Sequence, residues 1–150
     1  MRTPMLVIVI AALSGFVAAQ AKGLQLNDLP PAVVKTVQAN LKGGEIKNIS
    51  KEKEAGVEQF EVETTLNGKT RDFNVDTKGN LLVVEEAIEL NAVPEAARVA
   101  LVKRVADGKL GAVEAIMKTG QPTMYEAAYT DKRGKRHEAL VKADGAPAKD

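Results

Sequence analysis

The chain has no cysteine, no tryptophan and a single histidine. Without cysteine there are no disulfides, no zinc thiolate sites and no iron–sulfur clusters. With one histidine, His137, there is no two-histidine metal motif and no histidine relay. Serine is nearly missing too: Ser14 lies in the N-terminal segment and Ser50 is the other one. A nucleophilic triad would have to combine His137 with Ser50 or a threonine, and no motif surrounds any of them. The only glycine pair, Gly43-Gly44, reads as a helix stop and not as a phosphate-binding loop. An excess of one charge is also lacking, since 21 Lys and Arg meet 20 Asp and Glu. The strong basic excess of a nucleic-acid binder is therefore absent. With three Phe and two Tyr in 150 residues, stability has to come from packing of mainly aliphatic side chains.

The N-terminus is the first positive feature. Met1-Arg2-Thr3-Pro4 is positively charged, residues 5–17 are an apolar run, and small residues lead to Ala19-Gln20-Ala21. This is the order of a secretory signal peptide, with the mature chain starting at Lys22. The apolar run is short for a membrane span, which takes about 20 apolar residues. The expected product is exported, periplasmic or extracellular, and free of the membrane after cleavage, because no cysteine follows that could carry lipid.

The rest of the chain says nearly the same thing twice. Leu29-Pro30, Val37, Leu41, Gly44, Ile49 and Gly56 return 64 positions later as Val93-Pro94, Leu101, Val105, Gly108, Val113 and Gly120. The offset then drifts by one and two residues, so that Phe60-Glu61 answers to Tyr125-Glu126 and Gly68-Lys69 to Gly134-Lys135. Slips confined to turns mean one supersecondary unit used twice. The expected organisation is a signal peptide at 1–21, a first repeat at 22–89, a second at 90–145 and a flexible tail at 146–150. Residues 22–89 carry 9 basic and 12 acidic side chains, a net −3, whereas 90–150 carry 11 and 8, a net +3.

Each unit opens as a helix. Val33, Val34, Val37 and Leu41 form an apolar stripe at helical spacing behind Pro30-Pro31, which suits a first turn. Pro94 to Val105 repeats the plan with Ala97, Leu101 and Val105. The period then changes to two. Strands are expected over 45–53, 57–66, 69–76 and 81–87, and again over 110–118, 123–130 and 135–142. Asn67-Gly68 marks a tight hairpin, because both turn positions need positive φ. Arg71, Phe73 and Val75 fall on the inner face of their strand, and so do His137, Ala139 and Val141. No final strand follows in the second unit, which leaves a sheet edge there. The fold class expected is α+β: two tandem helix-plus-antiparallel-sheet repeats with the helices packed on one face of the sheet. Units of about sixty residues are marginal alone, so sharing a sheet or packing helices together is favoured over two separate beads.

Few side chains suggest chemistry. Glu61 and Glu63 share an outward strand face that could hold a hard cation weakly, but no aspartate-rich loop accompanies them. Alternation places His137 beside a turn and not in a cleft. The densest charge cluster, Lys132-Arg133-Gly134-Lys135-Arg136, sits at a hairpin tip. Together with His137 it is the candidate partner-binding site: an exposed basic finger for an acidic protein surface or an anionic envelope polymer. No catalytic, cofactor or metal residues are assigned.

The Leu-Pro helix start, Gly44-Glu45-Ile46-x-x-Ile49, the Gly56-Val-Glu-Gln-Phe60-Glu-Val62 strand and the Val75-Asp76-x-x-Gly79 turn resemble the PepSY-like family. The tandem arrangement resembles exported PepSY-like proteins grouped with the β-lactamase inhibitory protein fold, over nearly all of 29–145. The second unit departs from the pattern, with Lys142-Ala143-Asp144-Gly145 in place of Asp76-Thr77-Lys78-Gly79. The resemblance implies an antiparallel sheet with one helix per unit in a secreted, non-enzymatic protein. PepSY modules occur in propeptides of thermolysin-type metallopeptidases, where peptidase inhibition has been proposed. The function expected is a non-catalytic protein-binding or inhibitory module, its partner a protein such as an envelope or secreted peptidase. The alternative is a periplasmic small-ligand carrier or envelope sensor.

Overall fold

The computed structural model describes residues 23–149. The expected signal segment at 1–21 lies outside the described residues. The first helix, α1 (Pro31–Leu41), starts behind Pro30 with a second proline in its first turn. It stops where Lys42 and Gly43 turn left-handed, at φ 49° and 87°. Four strands follow: β1 (Glu45–Glu54), β2 (Val57–Leu66), β3 (Lys69–Asp76) and β4 (Leu81–Ala87). Then come α2 (Glu95–Val105), β5 (Lys109–Lys118), β6 (Met124–Thr130) and β7 (Arg136–Lys142). In α2, Glu95 in the first turn and Lys103 and Arg104 in the last complement the helix dipole. The β2–β3 hairpin closes at Asn67-Gly68, with φ 53° and 78°, as the sequence requires.

The strands form one seven-stranded sheet in the order β1-β2-β3-β4-β5-β6-β7. Every neighbouring pair is antiparallel. This corrects the expected fold class. The chain is a mainly-β protein with two short helices, and not an α+β pair of tandem helix-plus-sheet repeats. The reason is the pairing of β4 with β5, from Val83↔Lys118 to Ala87↔Glu114, which continues the backbone ladder across the middle. Separate sheets would each expose an unpaired central edge over a small core.

Both helices lie against the same face of the sheet. Under α1, Val33 and Val37 meet Ile49, Phe60, Val62, Phe73, Val75 and Val84. Under α2, Ala97 and Leu101 meet Val113, Ala127, Ala139 and Val141, with Tyr125 and Tyr129 packed at the margin. Two turns hold the helix starts down. Gly79 (φ +91°) and Gly145 (φ +81°) pass so close to the first turns of α1 and α2 that a Cβ would lie 2.8 Å from Ala32 backbone atoms and 2.6 Å from the Ala96 oxygen. Thr36 Oγ1 adds a hydrogen bond to the Gly79 carbonyl at 2.6 Å.

After β7 the chain turns back along that strand. Lys142 donates its N–H to the Ala146 carbonyl at 2.9 Å, and Ala148 donates to Leu140 at 3.1 Å. At the other margin, Leu24 donates to the Ile49 carbonyl of β1 at 3.0 Å. No helix among the described residues is long and apolar enough to cross a membrane.

Candidate functional site: a basic hairpin tip and an open sheet face

Asp131 organises the β6–β7 turn. Its Oδ1 accepts the backbone N–H groups of Arg133 (2.8 Å) and Lys135 (2.9 Å), while Oδ2 lies 2.9 Å from His137 Nε2. The His137 hydrogen bond, helped by the two backbone donors, holds the Asp131 carboxyl below its ordinary range. His137 reaches this position from the helix-facing side of β7, opposite Tyr129 of β6. The two rings stack at 5.2 Å with 23° between their planes. Lys132 Nζ reaches Asp107 beyond the end of α2 at 2.7 Å.

Between this turn and the end of α2 lies an open cleft of about 390 Å³. Lys132, Arg133 and His137 line it together with Arg104, Asp107, Tyr129 and Asp131. Three of the five candidate residues are therefore brought together. Lys135 is not among the lining residues, and Arg136, paired with Thr130, projects on the opposite face of the sheet. Alternation placed His137 beside a turn and not in a cleft; the structure corrects this, placing it beside the turn and in the cleft wall, because the end of α2 forms the other side. Arg104, Asp107 and Asp131 were not singled out from the sequence. Asp131 was visible there as the first residue of an Asp-x-x-Gly turn, but its grip on a histidine six residues later was not.

The face of the sheet away from the helices is exposed unevenly: on β5 and β6 its Ile116 and Met124 are buried, at 1% and 8% exposure. On β1–β3 it presents Glu52, Glu54, Glu61, Glu63 and Asp72, and their hydrogen bonds come from neutral donors. Asn48 donates to Glu63 at 2.9 Å and Ser50 to Glu61 at 3.3 Å. Gln59 donates to Glu52 (2.7 Å) and Glu54 (2.8 Å), and Asn74 to Glu52 (2.9 Å). The Thr64 N–H donates to Asp72 at 2.8 Å. Burial and then repulsion from Glu52 and Glu63 push the Glu61 carboxyl above its ordinary range. Burial likewise raises Asp72, with Glu63 adding repulsion, and Glu114 on β5, with Asp72 and Glu138 adding theirs. Among the described residues no three His, Asp or Glu side chains converge as a metal site.

Solved structures of similar fold include BLIP-like and DUF2874 family proteins. A BLIP-like protein from Bacteroides fragilis superposes with a TM-score of 0.62 at 16% identity, covering 81% of this chain and 84% of that one. A DUF2874 family protein from Bacteroides ovatus gives 0.64 at 12% identity, over 81% and 85%. A predicted periplasmic protein from Bacteroides eggerthii gives 0.67 at 12% identity, over 81% and 86%. At these identities the likeness shows the fold. No family model matches the chain, and no curated protein matches it.

Proposed function

We propose that this protein is an exported, non-catalytic protein-binding module of inhibitory type, acting in the periplasm or outside the cell on a partner such as an envelope or secreted peptidase. The observation that carries this reading is the sheet itself: seven strands with both helices on one side and, on the other side of β1–β3, a set of carboxylates held by neutral donors and left for a partner. Three further points support it. The N-terminus has the order of a signal peptide. The similar structures include a BLIP-like protein and a predicted periplasmic one. The polar groups gathered at the hairpin tip are paired with each other, not arranged around a nucleophile. The basic tip, with Lys132, Arg133, Lys135, Arg136 and His137, is the proposed second contact beside the sheet face.

The test is capture from envelope extract by the full chain expressed with its own N-terminus, with mass spectrometry of what is retained. A specific protein should be recovered across a range of salt concentrations. Its recovery should fall when Lys132, Arg133, Lys135 and Arg136 are reversed in charge. No specific partner at any salt concentration sinks the reading. The cleft of about 390 Å³ favours one alternative, a small-ligand carrier or sensor. That alternative predicts a thermal shift with envelope small molecules in a protein that captures no partner.

A further inference from the structure

The charged side chains of β1–β3 are sorted by face. On the open face, the stretch containing Glu52, Glu61, Glu63 and Asp72 carries no lysine or arginine. Lys51 lies on the helix side, opposite Phe60, and is paired with Glu58 at 3.3 Å. Lys47 sits at the margin of this face, at the bulge between Ile46 and Asn48, where Glu45, opposite Thr65 on the same face, holds it at 2.8 Å. A charged strand face is usually relieved by cross-strand pairs of opposite sign. Here the cross-strand partners are amides, a hydroxyl and further carboxylates, including Asn48↔Glu63, Ser50↔Glu61 and Asp72↔Glu85. The neutral donors fix the carboxylate positions without cancelling their charge. The cost is visible in Glu61 and Asp72, both held above their ordinary range by burial and like-charge neighbours.

We propose that the open face of β1–β3 is a docking surface for an extended lysine- or arginine-rich segment of a protein partner, with its cations at alternate positions. This rests on the binding-module reading and adds the chemistry of the partner. The period supports it. Glu61 and Glu63 stand two residues apart on one strand, about 7 Å, and neighbouring strands lie about 5 Å away. An extended segment running along β2 shows its own alternate side chains at that same interval. Its cations then fall over Glu61 and Glu63, with Glu52 and Asp72 on the flanking strands. A segment with its cations in an unbroken block turns half of them away. The attraction also has a gain that an exposed surface pair lacks, because each incoming cation relieves repulsion already present on the face.

The experiment uses the full chain and a labelled Lys-Thr-Lys-Thr-Lys-Thr-Lys peptide, read by fluorescence anisotropy at low and moderate salt. A second peptide has the same composition with its four lysines contiguous. The alternating peptide should bind about 5-fold more tightly than the block isomer. Combined E61Q/E63Q/D72N should weaken it about 10-fold; each carboxamide keeps an oxygen for the present donors, so the face keeps its shape. Combined E58Q/E89Q/E95Q, the same charge change at exposed sites off this face, should leave binding within about twofold. Equal binding of the two isomers, or equal loss in both variants, reduces the effect to net charge and overturns the proposal. So does sedimentation showing that the wild type self-associates and E61Q/E63Q/D72N does not, since the occupant is then a second copy. If envelope capture survives in a variant that has lost the peptide, this docking fails and the binding-module reading stands. If the peptide binds normally and no envelope partner exists, that reading fails alone.

Discussion

The two halves of the sheet fill the same position in opposite ways. Near the β2–β3 hairpin, one helix-facing pair in from the turn, stand Thr64 and Arg71; in the corresponding place by the β6–β7 hairpin stand Tyr129 and His137. In the first half Arg71 is 3% exposed. Its Nη1 donates to the Asn40 carbonyl near the end of α1 at 2.6 Å, and Thr64 Oγ1 donates to the Arg71 carbonyl. Its guanidinium stands 5.7 Å from the centre of the Phe73 ring, with Nε 3.5 Å from Glu86. The long side chain seals the gap between helix end and sheet. In the second half the two rings stack flat on each other, His137 turns to Asp131, and the gap stays open as the cleft. The same backbone arrangement therefore yields core or cleft according to two side chains.

The largest test of this contrast is removal of the sealing residue. Arg71→Ala should cost about 3 kcal/mol, because it deletes a buried, paired side chain and leaves a void beside Phe73. His137→Ala should cost less than about 1 kcal/mol, since it lines an open cleft. Urea unfolding followed by circular dichroism measures both, and equal losses would erase the distinction between a sealed and an open half. A smaller effect is expected where the halves agree. Gly79→Ala and Gly145→Ala should each cost about 2 kcal/mol, through positive φ and contact with a helix backbone. A loss confined to one of them would mean that the two helix starts are not held alike.

The smallest effect concerns acid. Glu61, Asp72 and Glu114 have raised values in the folded protein, so the stability tied to their protonation is full at low pH and is lost as pH rises through those values. Asp76 and Asp131 are lowered, Asp76 chiefly by its Asn80 hydrogen bond, and their contribution is lost as pH falls through those lowered values. The urea midpoint should therefore rise slightly as pH falls from 7 to about 5, then drop below about 4. Combined E61Q/D72N/E114Q should flatten the rise and keep the drop. A midpoint that falls steadily from pH 7 would show that the open face is not under mutual repulsion.

Much of the local structure was legible because it is dictated locally. Alternation located Val57–Leu66 and Lys69–Asp76, Asn67-Gly68 joined them, and Leu81–Ala87 followed the Asp76–Gly79 turn. The inner-face position of Arg71 followed from the same alternation, but not its burial, which depends on Asn40 in a different element. The β4–β5 pairing was not legible, because it lies between the two similar stretches and has no counterpart in either. A shared sheet was one of the two arrangements expected, and this pairing is what makes it a single mainly-β sheet. The candidate tip was visible as a run of cations, whereas the cleft needed Arg104 and Asp107 from the end of α2. The carboxylate face was half visible in Glu61 and Glu63. Its neutral donors Asn48 and Gln59, and the added charge of Asp72, arrive from neighbouring strands and become readable only once register is known.

The unbroken strand order has a kinetic consequence. Each strand lies beside the one that precedes it in the chain, so no strand has to wait for a distant stretch to arrive before it can pair. Contact order is then low for a sheet of this size, and loop closure takes little entropy at each step. Such a chain can fold by zipping from any hairpin already formed. Asn67-Gly68 and Ala55-Gly56, the two-residue turns on either side of β2, are the natural first nuclei, and the β4–β5 seam is the step at which one half recruits the other.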